Sequence, residues 1–301
     1  MTDVHGICDP KFAAVREAFA TSLKTGQDIG ASFAATIEGE MVVDLWGGHA
    51  DSAHSRPWER DTIVNVYSST KTMTALTALL LADRGQLDVY APVAKYWPEF
   101  AAAGKENVTV AHLLSHSAGL SGWDEQFTAE AMYDWDRMTA LLAAQAPWWE
   151  PGTASGYHAL SQGYLEGEIV RRVTGRTLGT YFRDEVAGPL GADFHIGLPE
   201  SEEPRVARMV TPAVGLGQGP VADTESLAYR ALSSCAISGA ECNTREWRAA
   251  EIPAAGGTGN ARSVARVHAA LANGGAVDGV RLLSPEGVDR IFVQQAHNVD
   301  L

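Results

Sequence analysis

A β-prone segment that runs directly into an apolar helix constrains this fold more than any other feature of the sequence. Residues 62–67 read Thr-Ile-Val-Asn-Val-Tyr, and residues 68–85 then carry apolar side chains at helical spacing up to Gly85. A glycine at that point can adopt the left-handed conformation that ends a helix. We therefore predict a strand followed at once by a helix whose first turn contains Ser68.

Other elements are predicted on both sides of this junction. Two β-prone segments separated by Glu-Gly-Glu predict an antiparallel hairpin, with strands at Ile29–Ile37 and Met41–Trp46. Apolar spacing and helix-start residues predict helices at Lys11–Lys24, Ser263–Ala272 and Pro285–Gln294.

The middle of the chain has a different pattern. From Asp88 to about Ala250, prolines and glycines separate short helical stretches, and Val206–Pro220 is predicted to be a loop. We predict an α/β (α+β) fold in which an antiparallel sheet flanked by helices forms one domain, from residues 1–87 and 260–301. A mostly helical domain would span residues 88–259, with the active site in the cleft between the two.

Composition narrows the class of ligand. The 301 residues are 46% hydrophobic and 20% charged, as expected for a folded protein with a sizeable core. A net charge of -14 argues against nucleic-acid binding, which needs clustered Lys and Arg, and favours neutral, cationic or apolar small molecules.

The N-terminal segment and the cysteines carry no targeting or metal-binding signal. Residues 1–20 include charged side chains, and no run of about 18 apolar residues occurs in the chain, so we expect a cytoplasmic protein that does not engage a membrane. Cys8, Cys235 and Cys242 lack metal-ligand or CxxC spacing and are expected to be reduced, structural thiols.

Ser68 and Lys71 form the first candidate catalytic pair. Their spacing of three places both side chains on one helix face, a turn apart. A lysine can take the serine proton only when burial or nearby positive potential disfavours its ammonium form, and a helix N-terminus supplies such potential. Alone, the pair has a simpler interpretation, in which Ser68 caps the helix and Lys71 is solvated.

Three segments downstream of this pair resemble a known family. They are residues 111–120 (Ala-His-Leu-Leu-Ser-His-Ser-Ala-Gly-Leu), 149–157 and 163–175. In order and spacing they resemble the serine β-lactamase superfamily of penicillin-recognising proteins, in the class C-like branch that includes family VIII carboxylesterases. The resemblance extends from about Gly30 to the end of the chain. It implies a β-lactamase-like fold.

The resemblance also implies a mechanism. Ser68 matches the acylated nucleophile, Lys71 its paired lysine and Tyr157 the tyrosine of the second catalytic motif. These roles imply a serine carboxylesterase that cleaves short-chain esters, small-molecule substrates, through an acyl-enzyme and without a metal or organic cofactor. The alternatives are a β-lactamase, D-aminopeptidase or acyltransferase of the same superfamily, and a non-catalytic binding protein with this fold.

Departures from the family pattern affect the expected substrate. The lactamases usually have Tyr-x-Asn where this chain has Tyr157-His158-Ala159, so an amide that helps to hold a lactam is absent. His158 is expected either to supply part of that polarity or to be only a solvated or packed side chain. Among the tryptophans near the site in sequence, Trp123 is the preferred candidate for lining a substrate pocket, with core packing as the alternative.

A third motif, expected on a late strand, cannot be found. Trp46-Gly47-Gly48 resembles one version of it but precedes the nucleophile. We therefore expect that the late strands are missing from this chain and that its activity is poor. His112 and His116 have metal-ligand spacing, but without a third ligand their packing or capping is the better interpretation, and no metal is predicted.

Overall fold

The structure is a computed structural model that describes residues 3–210 and 223–301. Its strands are β1 (Val4–Cys8), β2 (Gly30–Ile37), β3 (Glu40–Gly48), β4 (Val64–Asn65), β5 (Phe127–Thr128), β6 (Phe194–His195), β7 (Cys235–Ala236), β8 (Thr258–Gly259), β9 (Ala276–Val277) and β10 (Val280–Arg281). Its α-helices are α1 (Ala13–Thr25), α2 (Thr70–Asp83), α3 (Val110–Leu114), α4 (Trp135–Ala144), α5 (Ser161–Thr174), α6 (Leu178–Phe182), α7 (Gly188–Leu190), α8 (Leu227–Ser233), α9 (Arg245–Ala249), α10 (Ala261–Ala272) and α11 (Pro285–Ile291).

The predicted hairpin is confirmed as part of an antiparallel sheet with strand order β1-β3-β2. Glu38 and Gly39 make the two-residue turn between β2 and β3, and both have positive φ, 53° and 88°. This conformation matches the right-handed twist of paired strands and favours glycine. Helices α1 and α10 pack against the sheet, so the predicted antiparallel sheet flanked by helices is also confirmed.

The strand before Ser68 is shorter than predicted. Only Val64 and Asn65 form β4, which pairs with β8 in a second antiparallel sheet of order β4-β8-β6. Extended pairing ends there because the Tyr67 backbone has φ 44°, which turns the chain away from the sheet. The described residues also form a parallel β5-β7 pair and an antiparallel β9-β10 hairpin.

The helix after Ser68 ends as predicted. Gly85 has φ 71°, and the amide of Gln86 donates to the carbonyl of Leu81 over 2.9 Å. This bond satisfies a carbonyl at the helix end that has no intrahelical partner. The two late helices are confirmed with small shifts, because α10 begins at Ala261, after its Asn260 cap, and α11 ends at Ile291.

Helix α2 lies in the main hydrophobic core. Met73, Leu76 and Leu80 are buried, and α2 packs against α5, α6 and α11. The core is continuous from α2 through the helical region to α10 and β9, so it crosses the predicted domain boundaries. The division into residues 1–87 with 260–301 and residues 88–259 stays a prediction.

Two further sequence predictions concern loops and membranes. In the predicted loop, Val206 forms an isolated parallel bridge with Ile63, whereas positions 211–220 lie outside the described residues. Of the helices that the structure describes, not one has the combination of length and apolar character that spanning a membrane requires.

Candidate active site

The backbone around Ser68 is held in a strained turn. Tyr67 has a left-handed φ, a conformation that costs a residue with a side chain on the order of 1–3 kcal/mol. Its hydroxyl donates to the carbonyl of Gly239 over 3.0 Å, and its carbonyl accepts from the Thr70 hydroxyl over 2.5 Å. These contacts hold the short 3-10 turn of residues 67–69, from which the exposed Ser68 side chain enters the site.

Lys71 lies one helical turn beyond Ser68 and is 7% exposed. Its Nζ lies 2.7 Å from the carbonyl oxygen of Ala159, 2.9 Å from that of Ala254 and 3.2 Å from Ser68 Oγ. A neutral amine has two N–H bonds and one lone pair, so it can donate to both carbonyls and accept from the serine. Burial lowers the pKa of Lys71, and this outweighs the opposing influence of Tyr157 and Glu166.

Tyr157 completes the cluster that the sequence predicted. Its hydroxyl lies 2.7 Å from Ser68 Oγ, and Lys71 Nζ lies 4.8 Å from the centre of its ring. The ring is 42% exposed and stands beside the His116 ring, with centres 5.3 Å apart. The structure therefore brings Ser68, Lys71 and Tyr157 into direct contact, although they come from two segments about ninety positions apart.

His158 lies beneath this cluster and is fully buried. Its Nε2 accepts from the Leu120 amide over 3.2 Å, and its Nδ1 lies 2.6 Å from the Gly156 carbonyl. This pattern fits a neutral ring with its proton on Nδ1, and burial lowers the pKa of His158 to about 3. The expectation that His158 binds substrate is corrected: its side chain fixes the turn that carries Tyr157.

Trp123 also lies away from the site. It is 2% exposed, its Nε1 donates to the Met138 carbonyl over 3.1 Å, and its ring packs edge-on against Phe127 and Tyr164. The preferred sequence interpretation, a pocket-lining Trp123, is therefore corrected in favour of core packing. A different tryptophan, Trp149, is near the site: it stacks edge-on against His158.

The two histidines with metal-ligand spacing have separate tasks. His112 takes part in the cap of α3, where its Nδ1 accepts from the Thr109 amide over 3.3 Å. His116 Nδ1 accepts from the His158 amide over 3.0 Å, and burial followed by the Lys71 charge lowers the pKa of His116 to about 4. Within residues 3–210 and 223–301, no group of three metal-ligating side chains is found.

An apolar cavity of about 450 Å³ opens beside Ser68. It is lined by Tyr67, Ser68, Tyr157, Ala159, Leu160, Met209, Val210, Leu232, Cys235, Ile237, Gly239, Trp247 and Ala255. Cys235 is a free thiol, as predicted, and burial raises its pKa to about 12, so it is a poor nucleophile.

Sequence reasoning missed most of this lining. Leu232, Ile237 and Trp247 lie far from the catalytic segments in sequence, and apolar side chains in a helical region give no signal of a pocket. Among the lining residues that the structure describes, none belongs to a strand after β8, and the third motif stays unassigned. A larger groove of about 920 Å³ runs along β2 and α10 and reaches Ser69 but not Ser68.

A serine in contact with a buried lysine and a tyrosine, beside an apolar cavity, defines a candidate acyl-transfer site of the serine-hydrolase class. The Beta-lactamase family model matches residues 15–294. The chain therefore belongs to the beta-lactamase family, and the superfamily indicated by the sequence motifs is confirmed. This family consists of hydrolases and includes esterases, which gives the general class of this protein.

Known relatives agree with this assignment. The chain is 40% identical over 292 residues to Esterase/beta-lactamase LipL of Mycobacterium tuberculosis, covering 94% of this chain and 68% of that protein. Esterase EstB of Burkholderia gladioli is 33% identical over 190 residues, covering 58% of this chain and 48% of EstB. The crystal structure of a family VIII carboxylesterase superposes with a TM-score of 0.91 at 48% identity, covering 99% of this chain and 79% of that one. The predicted β-lactamase-like fold is thus confirmed.

Proposed function

We propose that this protein is a serine carboxylesterase that hydrolyses short-chain esters through an acyl-enzyme on Ser68. One observation carries the proposal: Ser68 Oγ is in hydrogen-bond contact with both Lys71 Nζ and Tyr157 OH at the edge of an apolar cavity. A hydroxyl needs a base to become a nucleophile, and the desolvated Lys71 amine is suited to that task.

The acylation step follows from this geometry. Ser68 Oγ attacks the ester carbonyl while its proton moves to the Lys71 lone pair. As the tetrahedral intermediate collapses, the bond to the alcohol oxygen breaks, and Tyr157 passes a proton to that oxygen. Lys71 then returns a proton to Tyr157, which leaves a neutral amine and an ester bond between Ser68 and the acyl group.

Deacylation uses the same groups in reverse roles. Water attacks the acyl carbonyl and gives a proton to the Lys71 and Tyr157 pair. The bond to Ser68 Oγ breaks, Oγ recovers a proton, and the carboxylic acid leaves. Both steps use only water and side chains of this chain, so the proposal requires no metal or organic cofactor.

The cavity and the charge of the chain suggest the substrate class. Apolar side chains beside Ser68 suit a hydrocarbon acyl or alcohol group, and the net charge of -14 favours neutral or cationic esters. EstB and the family VIII structure are named as esterases, which supports the same class. A small-molecule ester, no nucleic-acid or membrane partner and a cytoplasmic location form part of this proposal.

β-Lactam hydrolysis is the second candidate, because the mycobacterial relative is named both an esterase and a beta-lactamase. Ala159 has no polar side-chain group that could hold a lactam, and its carbonyl already accepts a hydrogen bond from Lys71. We therefore expect esters to be turned over faster than nitrocefin. Tests with D-amino-acid amides and with added alcohol acceptors separate the peptidase and acyltransferase alternatives.

Substitution of Ser68 tests the proposal against a matched control. Ser69 is the adjacent exposed serine, and its hydroxyl makes no hydrogen bond with Lys71 or Tyr157 in the described structure, whereas that of Ser68 does, so S69A serves as the control. We expect S68A to lower kcat/KM for p-nitrophenyl acetate and butyrate by at least about a thousandfold, with little change in S69A. Retained turnover in S68A would refute the assignment.

Intact-mass analysis after treatment with a fluorophosphonate gives a second readout. The wild-type protein and S69A should each gain one covalent adduct, and S68A should gain none. Absence of any adduct on the wild-type protein would instead favour the non-catalytic binding protein.

A further inference from the structure

A buried acid lies on the helix that packs along the Lys71 helix. Glu166 on α5 is 1% exposed, and its Oε1 accepts from Gln162 Nε2 over 2.8 Å. Within the described residues, the second oxygen of each group, Glu166 Oε2 and Gln162 Oε1, has no hydrogen-bond partner. Two unpaired oxygens one helical turn apart in the core need an explanation.

A proton on Glu166 would account for both unpaired oxygens. A carboxylate and an amide oxygen both only accept, so with an ionised Glu166 the two oxygens cannot satisfy one another. A carboxylic acid gains an O–H donor, and the acid and amide can then form a reciprocal pair with two hydrogen bonds. In agreement with this, burial raises the pKa of Glu166 to about 8.

This acid interacts with the base of the proposed reaction. Helix α5, which carries Glu166, packs against α2, which carries Lys71. A charge on Glu166 raises the pKa of Lys71, and a charge on Lys71 lowers the pKa of Glu166. Among the described residues, the other titratable groups that interact with Lys71 are Tyr157, His116 and His158. A carboxylate at Glu166 would stabilise the Lys71 ammonium and so remove its lone pair, whereas a neutral acid leaves the amine free.

We propose that Glu166 is a positioning residue of this site: paired with Gln162 as a neutral acid, it keeps the Lys71 amine available to accept the Ser68 proton. This inference rests on the proposed function, since it concerns the base of that reaction. It implies that the Gln162 and Glu166 pair must be uncharged for Lys71 to act as the base.

The first test makes the pair permanently neutral. E166Q keeps the shape of the acid and both hydrogen bonds with Gln162. We expect the acidic limb of the kcat/KM profile of E166Q for p-nitrophenyl butyrate to lie at the same pH as in wild type, because the pair with Gln162 is uncharged in both proteins. A limb that moves down by one pH unit or more would show an ionised Glu166 paired with Lys71 and would overturn the proposal.

The second test adds a charge and then removes it. Q162E places two acids side by side, and because one of them ionises, we expect the acidic limb of kcat/KM to rise by on the order of one pH unit. The double variant Q162E/E166Q swaps acid and amide and should restore the wild-type limb. An unmoved limb in Q162E, or no recovery in the swapped variant, would count against the proposal.

A spectroscopic measurement separates this proposal from the esterase assignment. The infrared difference spectrum of wild type minus E166Q at pH 6.5 should contain the carbonyl stretch of a protonated carboxylic acid, and the band should vanish as the pH rises through about 8. The band does not depend on turnover. Its absence refutes the neutral acid, whereas its presence in a protein that lacks Ser68-dependent turnover refutes only the proposed function.

Discussion

Gly163 on α5 has no side chain, which allows the Ala254 backbone to come close enough to accept a hydrogen bond from Lys71. The variant G163A tests that contact. A Cβ at this position would lie 2.4 Å from the Ala254 nitrogen and 2.8 Å from the Pro253 carbonyl carbon. Both neighbours are backbone atoms and cannot rotate away. Since ordinary contacts begin near 3.5 Å, the segment must move by about 1 Å.

That movement is large enough to break the contact. The Ala254 carbonyl accepts from Lys71 Nζ at 2.9 Å, so a shift of about 1 Å takes the pair out of hydrogen-bond range. A lost bond at a buried polar group costs about 1–3 kcal/mol, which corresponds to a roughly five- to 150-fold fall in kcat/KM if Lys71 is the base. Overpacking should cost a further ~1–3 kcal/mol of stability, of which the higher helix propensity of alanine recovers about 1 kcal/mol.

The assay pairs G163A with a control on the same helix. At Gly167 an added Cβ would meet the Trp135 ring at 2.5 Å, so G167A also overpacks the helix but does so away from Lys71. We expect both variants to lose a few degrees in Tm, and only G163A to lose activity towards p-nitrophenyl butyrate. Equal activity losses in the two variants, or a fully active G163A, would refute the reasoning.

Two further predictions concern buried titratable side chains. Lys105 is fully buried and donates to the carbonyls of Ala102, Ala143 and Gln145, so K105M should cost about 2 kcal/mol or more in urea unfolding at pH 7. Burial lowers the pKa of Lys105 to about 8. Above that pH the unfolded chain binds more protons than the folded protein, so the free energy of unfolding of wild type should rise relative to that of K105M from pH 8 towards 10. An unchanged difference would contradict this. For His158, whose pKa lies near 3 in the folded protein, wild type should lose about 1.4 kcal/mol more per pH unit than H158Q as the pH falls from 6.5 to 4, and parallel curves would be the contrary result.

The parts of the fold that the sequence predicted well depend on local signals. The hairpin, the helix after Ser68 and its end at Gly85 are each determined by residues within a few positions of one another. Contact between Ser68 and Lys71 follows from helical spacing for the same reason. Tyr157 was different, because only the order of the downstream segments placed it beside residues about ninety positions earlier.

The parts that could not be predicted depend on which way a side chain faces. His158 and Trp123 have the polarity and size expected of a binding site, yet both are buried: His158 bonds to the Leu120 amide, and Trp123 packs against Tyr164. The cavity beside Ser68 could not be predicted for a related reason, since its lining combines residues from many separate segments. Apolar periodicity does not distinguish a side chain that faces a cavity from one that faces the core.

The groups around Lys71, more than the Ser-x-x-Lys motif itself, make this lysine able to act as a base. Lys71 has two main-chain carbonyls as partners, from Ala159 and Ala254, and neither is identified by a side chain. Ala254 can approach because Gly163 lacks a Cβ, and on our proposal Glu166 leaves the lysine uncharged because it is itself neutral. A chain that kept Ser-x-x-Lys but had alanine at 163 or a charged pair at 162 and 166 should therefore retain the motif while losing most of its activity.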